Sequence, residues 1–254
     1  MQEAMRSPSR GARYILFAAL ALLAAFAVAG GAWVDAAAGL SGAAESAVKL
    51  LLILALAAAL SFFGPARVPL FSRFPARYWL WALLPPAAVL LAQLRPLAHT
   101  PSPAALGGML LGVVTTALWE ELFFRALGQA LFLRGDGRYT LFDLLFLAFA
   151  FALPHTVNLL IHPVFWQLIW AFCAGLFFLA LYRRSGSLLP AVVSHALTNA
   201  LSQTVGLCAD GAPQPFLGPA ADAAAIVGMA VLAAAALALL IRGDLLVRGK
   251  EAAG

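Results

Sequence analysis

Charge is scarce in this chain. Asp, Glu, Lys and Arg make up 11% of its 254 residues, less than half the roughly 25% of soluble domains. That deficit excludes an ordinary water-soluble globule. Cysteine is nearly absent too: Cys173 sits within an apolar run and Cys208 in a connecting stretch. Two such residues make neither a disulfide framework nor a thiolate metal site. No Gly-rich phosphate-binding loop, no His-Glu-x-x-His pattern and no internal repeat is present, which argues against nucleotide chemistry, zincin-type proteolysis and repeat-built carriers. The net charge of +5 is no nucleic-acid footprint, because the arginines flank apolar segments, where they set membrane topology.

What fills the chain is apolar: 63% of residues are hydrophobic. Apolar runs at residues 14–34, 47–63, 78–94, 106–133, 140–160, 163–182, 188–207 and 221–241 read as about eight transmembrane helices of an all-α polytopic membrane protein. The first run exceeds the apolar core of about 7–15 residues in a cleaved signal peptide, so it is expected to be retained. Pro85-Pro86 should kink the third run, and Pro154 interrupts the fifth.

An even number of spans puts both termini on one side. Loops on that side carry 13 of the 16 Lys and Arg residues (Arg6, Arg10, Arg13, Arg67, Arg73, Arg77, Arg134, Arg138, Arg183, Arg184, Arg242, Arg248 and Lys250). The other side has Lys49 and Arg95, and Arg125 lies inside a span. The asymmetry predicts cytoplasmic termini. Tyr14, Tyr78, Tyr139 and Tyr182 fall at the same span ends, as an interfacial aromatic belt requires. The chain divides into an N-terminal tail with three spans (1–105), a four-span core (106–207), and a loop, last span and tail (208–254).

The core holds the residues that a bilayer tolerates least. Trp119 to Arg125 read W-E-E-L-F-F-R, and ionisable groups at that depth persist when paired or when they serve a site. Glu121 and Arg125 are four apart and share a helix face, in the favoured order. Glu120 lies about 100° round the helix and must face something else. Of the four histidines, His99 and His162 lie at loops, whereas His155 and His195 lie inside spans. His155 follows Phe151 by four residues, and Asn199 follows His195 by four. Taken singly, His155 could be satisfied by a carbonyl that Pro154 frees, and His195 with Asn199 could be interhelical glue. Taken together, three helices bring an acid, two imidazoles and an amide to similar membrane depth.

Such a set suits water-activating hydrolysis. A carboxylate held away from water accepts a proton more readily and can serve as general base. His155 could share and orient the water, and His195 and Asn199 could stabilise an oxyanion. Ser194 is about 100° from His195 on its helix, so a Ser–His dyad is not expected.

The ordered set E-E-x-x-x-R (Glu120, Glu121, Arg125), F-x-x-x-H (Phe151, His155) and H-x-x-x-N (His195, Asn199) resembles the signature of the CPBP intramembrane proteases, which include CAAX prenyl endopeptidases and bacteriocin-processing proteins. The resemblance spans residues 106–207. It implies an intramembrane glutamic endopeptidase with Glu120 and His155 activating water, His195 and Asn199 forming the oxyanion hole, and Glu121, Arg125 and Phe151 in support. It implies no cofactor and a membrane-anchored protein or peptide substrate, cleaved near its C-terminus. The compact, Ala-rich chain suggests a bacterial inner membrane. Three alternatives stand beside it: a zinc protease using Glu120, His155 and His195, a proton-coupled transporter, and a non-catalytic immunity or interaction protein.

Overall fold

The computed structural model describes residues 9–39, 42–63, 71–92, 100–132, 139–159, 165–208 and 219–242. Arg6, Arg67, Arg95, His99, Arg134, Arg138, His162, Arg248 and Lys250, named above for topology or as histidine candidates, lie outside them, as do the connecting stretches 93–99 and 209–218.

The described residues are almost all helical, without a β-strand among them. The helices are α1 (Arg10–Ala38), α2 (Ala43–Phe63), α3 (Arg77–Ala82), α4 (Leu84–Ala92), α5 (Pro103–Glu121), α6 (Gly128–Phe132), α7 (Leu141–Ala152), α8 (Thr156–Leu159), α9 (Phe165–Ser185), α10 (Leu189–Cys208) and α11 (Pro219–Arg242). A π-helical turn, Leu122–Leu127, joins α5 to α6, and a 3₁₀ turn, Leu153–His155, joins α7 to α8. The third apolar run is two short helices broken at Leu83, just before Pro85-Pro86. The first inter-span loop is shorter than the acidic stretch 35–46 suggests, because α1 runs on to Ala38 and α2 starts at Ala43.

Among the described residues, four helical stretches are long and apolar enough to cross a membrane: Arg10–Ala38, Ala43–Ser61, Pro103–Phe132 and Gln167–Ser185. Leu141–His155 and Ala230–Leu240 are apolar but shorter. Helix α10 has span length, yet it carries Ser194, His195, Thr198, Asn199, Ser202, Gln203 and Thr204. It gives up apolarity for polar side chains. A chain with several such helices is a multi-pass membrane protein.

Helix α9 lies at the centre, against α7, α10 and α11, while α10 also packs on α4 and α5, and α1 pairs with α2. On α1 the buried positions Phe17, Ala21, Ala24, Gly31 and Asp35 form one stripe, and Ile15, Leu23, Phe26 and Trp33 point outward. An apolar outer surface of that kind is what lipid requires. Two glycines permit close contact. A Cβ at Gly31 would stand 2.8 Å from the Glu45 Cα, and one at Gly175 would stand 3.2 Å from the Ala148 Cα. Asp35 on α1 then caps α2, accepting from the Ala44 and Glu45 amides at 2.9 and 2.8 Å.

At the opposite end, fully buried Asp143 closes a capping box with Thr140 and takes hydrogen bonds from Arg10 and Tyr14. Arg13 donates to the Leu131 carbonyl at 3.1 Å, and Arg183 to Gln129 at 3.1 Å. The start of α1, the end of α6, the start of α7 and the end of α9 therefore meet at one end of the bundle. Tyr139 is wholly enclosed there, and burial pushes its phenol above the ordinary range.

Candidate active site

The π-helical turn begins directly after the two acidic residues. Leu122–Leu127 contains no Pro or Gly to force it, and π turns of this kind concentrate at functional sites. Across it Glu121 and Arg125 still meet, with Arg125 Nε 3.0 Å from Glu121 Oε2 and both side chains at most 1% exposed. The guanidinium lies over the Phe151 ring at 4.1 Å and near the Phe178 ring at 5.3 Å. Its remaining N–H groups have no hydrogen-bond acceptor among the described residues, where an ion pair and two aromatic faces hold this buried cation.

Glu121 has a second partner that the sequence does not display. Its Oε1 lies 2.9 Å from His195 Nδ1. A carboxylate paired with arginine accepts, so Nδ1 carries the proton and Nε2 faces away from Glu121. Nε2 is 3.7 Å from Glu120 Oε2. The His195 ring therefore sits between the two adjacent carboxylates. It stacks on Phe178 at 5.2 Å and meets the Phe151 ring edge-on at 5.7 Å.

His155 occupies the 3₁₀ turn after Pro154. Its Nδ1 is 3.1 Å from the Phe151 carbonyl. A carbonyl only accepts, so Nδ1–H donates and neutral His155 presents the Nε2 lone pair. Phe151 thus touches three site residues: it underlies Arg125, its ring is 5.6 Å from His155, and it borders His195.

Glu120 and His155 share a cavity of about 430 Å³. One wall is α1, where Ala25, Ala29, Ala32 and Ala36 present a single face of small side chains. Trp119 and Pro154 also line it, and Glu45 of α2 stands in its wall too. Glu45 is paired there with Lys49. Lys49 is 5% exposed and belongs to α2. His195 and Asn199 are not part of this wall among the described residues. Asn199 lies one turn beyond His195 on α10, is half-buried, and has no hydrogen bond among the described residues. The structure thus brings Glu120 together with His155 and with His195, and shows no hydrogen bond from Asn199 to any of them.

Among the described residues no three His, Cys, Asp or Glu side chains are grouped as a metal site requires. Both histidine Nδ1 atoms are already engaged, one by Glu121 and one by a carbonyl.

Residues 102–201 match the family model described as type II CAAX prenyl endopeptidase, Rce1-like. This stretch is similar to that family. The CAAX-protease core so defined contains α5 to α9 and most of α10, hence every residue of the three motifs, whereas α1 to α4 and α11 lie outside it. The core is that of a hydrolase, a protease embedded among apolar helices. No curated protein and no solved structure matches the chain.

Proposed function

We propose that the protein is an intramembrane endopeptidase in which Glu120 activates water against a peptide bond of a membrane-associated substrate. The observation that carries the reading is the placement of Glu120: on the wall of the cavity beside His155, with no hydrogen bond to its Oε2 among the described residues and His195 Nε2 3.7 Å away. Water enters between the Glu120 carboxylate and the His155 Nε2 lone pair. Glu120 takes a proton as the water oxygen bonds to the scissile carbonyl carbon. The proton then passes to the departing amine nitrogen as the C–N bond breaks, giving a new carboxylic acid and a free amine, which become carboxylate and ammonium by proton exchange. Donors from α10, His195 and Asn199, stabilise the oxyanion in between. For His195 this requires a proton on Nε2 as well as the one held by Glu121. Asn199 must turn toward the substrate; it makes no hydrogen bond among the described residues that would hold it back.

Glu121 and Arg125 fix the imidazole and the helix around it; they do not touch the substrate. The metal-free mechanism is preferred over a zinc site of Glu120, His155 and His195, because the chain has no His-Glu-x-x-His pattern and Asn199 is a poor zinc ligand. The eight-span arrangement with cytoplasmic termini completes the reading, and the compact, Ala-rich chain favours a bacterial inner membrane. The family description supports a prenylated CAAX-type tail as the first substrate to try. The test is mass spectrometry of a farnesylated CAAX peptide incubated with the purified protein in lipid nanodiscs. One internal peptide bond should be cut, at a rate that a strong chelator leaves unchanged. Lasting loss of cleavage with chelator, restored by zinc, would replace the glutamate mechanism with a metal one. An uncut peptide would remove that substrate class.

A further inference from the structure

The two directions along α1 from Glu120 are packed in opposite ways. One leads to the end of the bundle where Arg10, Arg13 and Arg183 make their contacts. There the space between α1 and the α5–α6 segment is filled with rings. Phe17 stacks on Phe123 at 4.8 Å and meets Phe132 edge-on at 5.5 Å. Phe123 meets Phe124 at 4.9 Å, and Tyr14 stacks on Phe132 at 4.9 Å. Those four phenylalanines are at most 5% exposed, and rings packed to interior density leave no passage for a peptide. Beside α10, Phe151 and Phe178 close over His195. The other direction is open. The cavity that begins at Glu120 and His155 is lined by α1 from Ala25 to Ala36, about 16 Å of helix axis. At its far end stand Trp33, Ala36 and Glu45, where α1 gives way to α2. Ala36, Ala37 and Ala38 are exposed there.

We propose that the substrate reaches Glu120 from the end of the bundle opposite Arg10 and Arg183, as an extended peptide segment laid along the alanine face of α1. The inference rests on the protease reading and on its cytoplasmic termini. In that orientation the open end faces away from the cytoplasm. The substrate class is therefore a membrane-associated peptide whose scissile bond is presented on the outer side, not a tail displayed in the cytoplasm. The length suits such a segment: at about 3.3 Å per residue, the lined stretch of α1 holds roughly five residues of extended chain. The width suits it as well, because alanine at positions 25, 29, 32 and 36 leaves room that larger side chains would fill. The farnesylated peptide of the preceding test still reports the chemistry, since a nanodisc exposes both faces.

The test is sided thiol labelling of the full chain in a Cys173→Ala/Cys208→Ala background. Single substitutions are added on the cavity wall (Ala29→Cys and Ala32→Cys), on the lipid face of α1 (Leu23→Cys) and at the arginine end (Ser9→Cys). The reagent is a maleimide that cannot cross membranes. It reacts with the thiolate form, which a thiol facing lipid does not reach. In intact cells Ala29→Cys and Ala32→Cys should be modified. Ser9→Cys should be modified only in everted membrane vesicles, and Leu23→Cys, whose parent side chain is 66% exposed on the apolar surface, in neither. Labelling after SDS denaturation reports how much of each variant is present. Modification of Ala32→Cys from outside should also abolish cleavage of a peptide that the unmodified variant cuts, while modification of Ser9→Cys leaves cleavage unchanged. Modification of the two cavity variants from the cytoplasmic side, or in neither preparation, overturns the proposal, as does full cleavage by modified Ala32→Cys. Because labelling is read without turnover, failure of the unmodified protein to cut any peptide counts against the protease reading alone.

Discussion

Replacing Arg125 by Met leaves Glu121 as a carboxylate that is 0% exposed with one hydrogen bond, from His195 Nδ1. Met has similar length, is apolar, and can lie against the Phe151 ring that the guanidinium now covers at 4.1 Å. Packing is therefore largely kept, and the loss is electrostatic. Removing one member of a buried ion pair destabilises by about 3–5 kcal/mol, because the other charge stays behind uncompensated. The double variant Glu121→Gln/Arg125→Met removes both charges while the Gln carbonyl can still accept from His195. Such replacements are often close to neutral, so the double variant should be more stable than Arg125→Met alone. The measurement is reversible unfolding in mixed micelles by SDS titration, with the double-mutant cycle completed by Glu121→Gln. A coupling energy of about 2 kcal/mol or more is expected for groups in direct contact. A loss below about 1 kcal/mol for Arg125→Met, or a double variant no more stable than the single, would refute the reasoning. The pair would then be no more than a solvated surface contact.

Two further outcomes follow from particular contacts. Gly31→Leu places side-chain atoms where a Cβ already lies 2.8 Å from the Glu45 backbone. It should destabilise by about 1–3 kcal/mol, read by the same titration, and it should weaken peptide binding by distorting the Glu45 part of the cavity wall. Asn199→Ala should lower kcat by roughly 10²–10³-fold, the usual effect of losing an oxyanion donor. It should leave stability almost unchanged, since Asn199 has no hydrogen bond to lose among the described residues; a drop in stability as large as the drop in activity would give it a structural role instead.

Much of the architecture is legible in the sequence because lipid demands unbroken apolar runs. The helix limits fall within a few residues of those runs, α1 extending past its run at both ends and α2 starting early. Pro85-Pro86 and Pro154 mark real interruptions: the break at Leu83 and the 3₁₀ turn that holds His155. The Glu121–Arg125 pairing follows from four-residue spacing. Other features were hidden for physical reasons. The π-helical turn is built from L-F-F-R-A-L, residues that form α-helix equally well, so only tertiary contacts can select it. The Glu121–His195 hydrogen bond joins residues 74 apart, and local spacing carries no information about it. Helix α1 reads as a plain membrane span, yet its alanines at positions 25, 29, 32 and 36 wall the cavity. Their four- and three-residue spacing was the available signal, masked by the alanine around it. The span count is harder to read, since α10 exchanges apolar residues for polar ones and α3 and α4 are short.

The most direct test sets Glu120→Gln against Glu121→Gln, each purified in nanodiscs and assayed on a peptide that the unmodified protein cleaves. Glu120→Gln should lower kcat by roughly 10²–10⁴-fold, the range for losing a general base, with the melting temperature preserved. Glu121→Gln should keep more activity than Glu120→Gln and lose more stability, because its carboxylate is tied to Arg125 and His195. Full activity in Glu120→Gln, or the two effects exchanged, would contradict the assignment of the water-activating carboxylate.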